Sequence, residues 1–431
     1  MKRIVVSSVM VLCGLAVLSA CGSSQPLPSP PAEPGDASDT RDPLAARDRY
    51  AFGNDCWVLR AASGDYLRRD GDTYRADAAL AAAEPLYFKP SALGAYLLHD
   101  RSGSVLRAGS PVAARDLAAA DEASRFVLTV AGDATVYPPT PAIHAEPTPG
   151  ELAAYRGFVD PQTTGEGFHL AAVDGNQRLS AAGAAPLALA TAADADSQVF
   201  RIEPAQGCLA FPEAHNNTAG TTFKGTTDSG EVVGLADVHV HISATNFLGN
   251  AQWGNPFHPL GVTHALGNCQ ASHGPQGALD AVGALLGNQF TGHSTDGWPT
   301  HTSWPARTML THEAIYWKWL ERAWLAGLRI AVNDLVDNET LCKLQRNISG
   351  TPLADCNEMN NAARQIGTMY AMQDYIDAQY GGRGEGWFRI VLDPAEARQV
   401  VADGKLVPHY VALDAELMKS MPPGVTAATG M

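Results

Sequence analysis

Basic residues are scarce in this chain. Lys and Arg number 30 against 45 Asp and Glu in 431 residues, a formal net charge of −15. Gripping a phosphate backbone needs a basic face, so no nucleic-acid partner is expected. Long apolar runs are missing too. The one candidate, Ile4 to Leu18, follows a charged start at Lys2-Arg3. It is too short for a spanning helix and reads as a secretory signal over residues 1–20. Cysteine is sparse, with seven residues. Cys13 leaves with the signal, and the compartment beyond it permits disulfides. With 45% apolar and 17% charged residues, the chain is neither collagen-like, nor a coiled coil, nor wholly disordered. Glycine (41) and proline (28) are plentiful, which predicts many turns and long irregular connections.

The signal ends Leu18-Ser19-Ala20-Cys21, which resembles the lipobox of bacterial lipoproteins. The resemblance implies cleavage before Cys21, lipid on that residue, and an anchor on the outside of the cytoplasmic membrane, at the outer membrane or cell surface. The following residues, to about 49, are rich in Pro, Ser, Gly and acids and lack apolar periodicity. They read as an extended tether. Five cysteines then remain: Cys56, Cys208, Cys269, Cys342 and Cys356. The count is odd, so one is left without a partner in the chain.

Residues 50–210 repeat themselves. An aromatic, any residue, then Leu recurs as Trp57 to Leu59, Tyr96 to Leu98 and Phe168 to Leu170, each followed at the same distance by Gly64, Gly103 or Gly175. A second Leu comes soon after (Leu67, Leu106, Leu179), and a Phe closes each unit about twenty residues later (Phe88, Phe126, Phe200). Aromatic-x-Leu puts two large side chains on one strand face, and the glycine turn begins a hairpin. Three such units resemble the β-trefoil. The Pro-rich stretch Tyr137 to Gly157 reads as a loop inserted between the second and third. Trefoil ends meet, which would bring Cys56 and Cys208 together as a disulfide. Ricin-type trefoil lectins carry Gln-x-Trp in each repeat; here only Gln198-Val-Phe200 comes near, so the three Phe read as core. The domain is expected to be a scaffold or binding module, with a glycan or other surface ligand as its partner.

Chemistry concentrates in residues 228–431. An apolar run ends Asp237-Val-His239-Val-His241. Strand alternation sends both histidines to one face, with Asp237 beside them, and two imidazoles so placed chelate a divalent metal such as zinc. Here the chain resembles amidohydrolase-type metal-dependent hydrolases, in which His-x-His ends strand one of a (β/α)8 barrel. The stretch from Asp237 to about Lys405 also resembles a group of secreted bacterial proteins with the patches Trp253-Gly-Asn-Pro-Phe257 and Asp296-Gly-Trp-Pro299. The resemblance implies His239 and His241 as metal ligands; it does not assign Asp237, which by its place on the strand would stand behind them. A carboxylate, Asp334 or Asp414, would serve as base. The reaction would be attack of metal-activated water on an amide or ester of a small-molecule or peptide-like substrate.

The Ile242 to Thr311 connection carries His258, His264, His273, His293 and His301, of which one or two could reach a metal or substrate. Helices are expected near Gly277 to Leu286, over Glu313 to Ala326, Asn357 to Tyr380, and from a capping box at Asp393 to Glu396. Strands are expected at Leu328 to Val332, Trp387 to Leu392 and Leu406 to Leu413. Their alternation predicts a parallel sheet. Cys342 and Cys356, on the loop after strand two, are expected to pair, leaving Cys269. Four strands are half of an eight-stranded barrel. Two functions therefore stay open: a lipid-anchored hydrolase, intact or truncated, and a non-catalytic surface protein that binds through its trefoil.

Overall fold

The computed structural model describes residues 42, 45–132, 149–173, 176–218, 222, 225–287, 291–302, 304, 309–349, 355–391 and 393–412. The signal, the lipobox, most of the tether and Asp414 lie outside them.

The repeats become four strands each. The first unit is β1 (Asp55–Ala61), β2 (Tyr66–Asp70), β3 (Thr73–Ala78) and β4 (Leu86–Ala92). The second is β5 (Ala95–His99), β6 (Ser104–Arg107), β7 (Ala113–Asp116) and β8 (Arg125–Val130). The third is β9 (Phe168–Ala172), β10 (Gln177–Ser180), β11 (Ala188–Thr191) and β12 (Phe200–Pro204). The outer strands of the units close a ring by antiparallel pairing: β1 with β4, β4 with β5, β5 with β8, β8 with β9, β9 with β12, and β12 back to β1. The inner strands pair as hairpins, β2–β3, β6–β7 and β10–β11. A closed ring with three hairpins is β-trefoil topology.

The repeated residues explain the closure. Trp57, Tyr96 and Phe168, both sets of leucines, and Phe88, Phe126 and Phe200 are all 2% exposed or less and share one core. Removing three symmetric sets of large apolar side chains from water supplies the main driving force. Gly64 (φ +94°) and Gly103 (φ +84°) make the hairpin turns in a backbone region that disfavours side chains. Gly175 lies outside the described residues. Cys56 and Cys208 are bonded across the meeting ends, with Cα atoms 5.6 Å apart. The inserted segment is not all loop. Its last part is helix α1 (Pro149–Gly157), whose Tyr155 ring meets Tyr370 at 5.0 Å and whose hydroxyl donates to Asp374 at 2.6 Å.

The remainder is mixed α/β. Strands β13 (Leu235–Val240), β14 (Leu328–Leu335) and β15 (Val407–Ala412) form a parallel sheet in that order. Its helices are α2 (Val262–Ala265), α3 (Gln270–His273), α4 (Ala281–Gly287), α5 (Trp317–Leu325), α6 (Glu339–Ser349), α7 (Glu358–Gln379) and α8 (Pro394–Ala402).

Four local expectations need correction. Among the described residues the stretch from Trp387 to Val391 makes one parallel bridge, Phe388 to Leu406, rather than a strand, and on its other side the Ile390 N–H is taken by the Gln373 side chain on α7. The Glu313 helix starts later, at Trp317, since the Glu313 carboxylate accepts from Ile315 N and Tyr316 is extended. Cys342 sits on helix α6, not on a loop, and its disulfide to Cys356 ties that helix to the approach to α7. Among the described residues the parallel sheet holds three strands, not four, and does not close. The capping at Asp393 is present: its carboxylate accepts from Ala395 N and Glu396 N.

The trefoil and the α/β part meet through β4 and α7. The Lys89 ammonium, 3% exposed, donates to Gln379 Oε1 at 2.5 Å and lies over the rings of Trp317 and Tyr375.

Candidate metal centre

The long connection after β13 folds back on itself three times, and each return delivers a donor. Cys269 directly precedes α3 and His273 ends it, one helical turn on, so both side chains share a face. Cys269 N donates to Thr295 O at 3.0 Å and His293 N to Gln276 O at 2.9 Å, which draws the 293–295 strand of chain alongside. His312 arrives by a parallel bridge to Trp253, with Trp253 N on Thr311 O and Glu313 N on Trp253 O, both 2.7 Å.

The result is a group of four donors, one atom each from Cys269, His273, His293 and His312, all within 4.8 Å of one another. The three imidazoles stand nearly perpendicular in pairs, with centroids 4.7 to 5.4 Å apart. The Cys269 Sγ is 3.5 Å from His293 Nε2. The site is closed: Cys269, His273 and His312 are buried, His293 nearly so, and Trp304 packs on His312 at 4.9 Å. A Cβ on Gly277 (φ +69°) would lie 2.4 Å from His293 Nδ1, so only glycine admits the ring there.

Hydrogen bonding shows which lone pairs are spare. His273 Nε2 is held by Ala251 O at 3.1 Å, which leaves Nδ1 facing the cluster without a partner. Neither His312 nitrogen has one. A backbone carbonyl on the far nitrogen fixes tautomer and ring direction, as outer partners do in metal sites. Asp280 Oδ2 lies 3.8 Å from Nδ1 of both His273 and His293, while taking a 2.5 Å hydrogen bond from Thr311 Oγ1. Burial, then the neighbouring imidazoles, pushes His312 down to about 2, and burial followed by His273 lowers His293. Burial, then Asp280, raises the Cys269 thiol to about 12. Without a cation the buried lone pairs at His273 Nδ1 and on His312 go unused, at a cost of about 1–3 kcal/mol each. A cation would use them, and one thiolate with three neutral imidazoles suits zinc or a similar borderline ion.

The expected pair lies elsewhere. His239 and His241 sit at the end of β13 with rings 5.0 Å apart. His239, 63% exposed, places Nδ1 2.9 Å from Asp334 Oδ2, and His241 Nδ1 is 2.9 Å from the Asp334 carbonyl. Asp334, buried on β14, has its carboxyl raised by burial, partly offset by the two histidines. Asp237 touches the backbone, accepting from His239 N at 3.2 Å. So the fold joins His239, His241 and Asp334, and keeps them apart from the Cys/His group. Of the five loop histidines, His273 and His293 join that group. His258 stacks on His264, whose Nε2 reaches Ala120 O of the trefoil, and His301 (φ +46°) is ringed by Trp298, Trp304 and Trp319.

Cys269, left over by counting, and His312, just past the connection, were the donors that sequence reasoning missed. The available signal was the one-turn spacing of Cys269 and His273 in a histidine-rich stretch.

No family model matches the chain, and no curated protein matches it. Solved structures similar to it include the designed three-fold symmetric protein ThreeFoil (15% identity, 35% of this chain and 99% of that chain, TM-score 0.25). Others are a Macrolepiota procera ricin B-like lectin in complex with lactose (13%, 36% and 97%, 0.23) and an SDF2-like protein from Arabidopsis thaliana (8%, 37% and 94%, 0.24). At such scores the trefoil assignment rests on the strand pairing itself.

Proposed function

We propose that this chain is an extracytoplasmic zinc protein whose Cys269, His273, His293 and His312 hold a structural ion. The convergence of four donors within 4.8 Å, three of them on buried residues, carries the reading. Four protein ligands fill a tetrahedral ion and leave no open position, the pattern of structural rather than catalytic sites. The ion would pin the long connection that follows β13 against α3 and the approach to α5. X-ray absorption on the purified protein tests the coordination: one sulfur and three nitrogen scatterers are expected, and a sulfur-free shell would contradict it.

A second reading is favoured by the His239 to Asp334 contact of 2.9 Å at the carboxyl end of parallel strands. A divalent ion held there would lower the pKa of a bound water to about 7. Asp334 would accept a proton, and His241, fixed by the Asp334 carbonyl, would orient the site for amide or ester hydrolysis. Hydrolysis of chromogenic ester or anilide probes that survives in a His239→Ala, His241→Ala double variant would remove this reading.

The lipobox-like Leu18 to Cys21 supports a lipid anchor in a bacterial envelope, which Cys21→Ser should abolish, releasing the protein from membranes. The trefoil would then be a binding or spacing module at the surface, with a glycan as one candidate ligand. Its Gln198 is committed internally, to Ala193 N and Thr191 O.

A further inference from the structure

A cavity of about 740 Å³ lies between residues 255–259 and one face of α7. None of the four metal donors lines it. Its wall on α7 is a trough of small residues, Ala363, Gly367 and Ala371, at one-turn spacing, and Phe257 faces it from the loop. Asn246, in the turn after β13, donates to Thr368 Oγ1 on α7 at 2.7 Å, and Val336 N, just past β14, is bonded to Gln365 of the same helix. The turn that follows the carboxyl end of β13 thus lines the cavity through Asn246, on the side where α/β sheets receive ligands.

Among the described residues one charge lines it. The Arg364 guanidinium donates to the Asn361 side-chain oxygen, and its buried Nε has no partner. Among the described residues no carboxylate lines the cavity. Asp355 feels the guanidinium's field, but its oxygens are taken by Asn357 N and the Asn360 amide. His258, the other titratable group at the wall, is pushed down to about 4 by burial and by His264, and is neutral. A half-buried guanidinium with donors to spare fits an anion in a planar fork. One guanidinium balances one negative charge, which favours a carboxylate over a phosphate dianion. The rest of the lining is mostly apolar, as small-molecule pockets are.

We infer that this cavity binds a small monocarboxylate with an apolar body, its carboxylate on Arg364 and its body in the Ala363–Gly367–Ala371 trough against Phe257. The inference stands apart from the metal readings. Calorimetric titration of the purified metal-loaded protein with phenylacetate and with its neutral isostere phenylacetamide tests it. Phenylacetate should bind about tenfold or more tighter than the amide, a difference that corresponds to about 1.4 kcal/mol. Arg364→Gln should bring the acid down to the amide's level, Arg364→Lys should restore part of the gap because charge returns without the fork, and Ala371→Leu should weaken both ligands by filling the trough. Metal content should stay unchanged in all three. Equal binding of acid and amide, acid binding unaltered by Arg364→Gln, or no binding of either would overturn the inference.

Discussion

At the scale of single residues, Gly277 and Lys89 make the sharpest demands. A side chain at Gly277 would collide with His293 and would have to adopt a positive φ. Gly277→Ala is expected to cost about 1–3 kcal/mol and to make the metal extractable by a chelator that leaves the wild type loaded. Unchanged retention would show that His293 is not a ligand. Lys89 is buried, and burial lowers its pKa to about 8. Between that value and the unfolded value, 10.5, the unfolded chain binds the proton and the folded chain does not, so stability rises with pH. The urea midpoint of the wild type should therefore gain on that of Lys89→Met as pH rises from about 8 to 10. A pH-independent gap would mean that Lys89 titrates normally. The repeat residues were legible because a period makes itself visible without any knowledge of contacts. The metal donors were not, because Cys269, His293 and His312 meet only through backbone pairing with Thr295, Gln276 and Trp253, which leaves no spacing rule in the chain. His239 and His241 drew attention by the opposite route: a two-residue spacing is conspicuous even where the side chain is mostly exposed.

At the scale of elements, the trefoil strands were readable and the α/β elements only partly so. Leu98 and Leu170 occupy equivalent, fully buried places in successive repeats. Leu98→Ala and Leu170→Ala should each cost about 2–5 kcal/mol by urea unfolding, and similar costs are expected because the sites are equivalent. Helix α7 was foreseen within a residue at each end, since its periodicity runs long and Asn357 caps it. Helix α6 was not, because a polar stretch with a cysteine carries little apolar signal; Asn338 starts it by accepting from Leu341 N, and the disulfide holds it. That bridge spans a sequence separation of 14. Cys342→Ser with Cys356→Ser should lower stability by about 3 kcal/mol, the loop-entropy expectation for such a span. A negligible change would mean that α6 is held by packing alone. The segment around Trp387 shows the converse: a strand-like sequence whose N–H went to the Gln373 side chain.

At the scale of the whole molecule, two architectures share a core boundary. β4 of the trefoil presents Lys89 to Trp317, Tyr375 and Gln379, and α1, inserted in the trefoil sequence, packs Tyr155 on α7. The trefoil thus buttresses the helix that forms one wall of the Arg364 cavity, while an ion on the Cys/His group would secure the connection that supplies the other. The most direct test of that arrangement is the zinc content per chain of the purified wild type, of His239→Ala with His241→Ala, and of Cys269→Ala with His312→Ala. About one zinc per chain is expected in the first two and almost none in the third. Zinc kept by the Cys269 and His312 variant but lost from the His239 and His241 variant would contradict the Cys/His centre and return the metal to the end of β13.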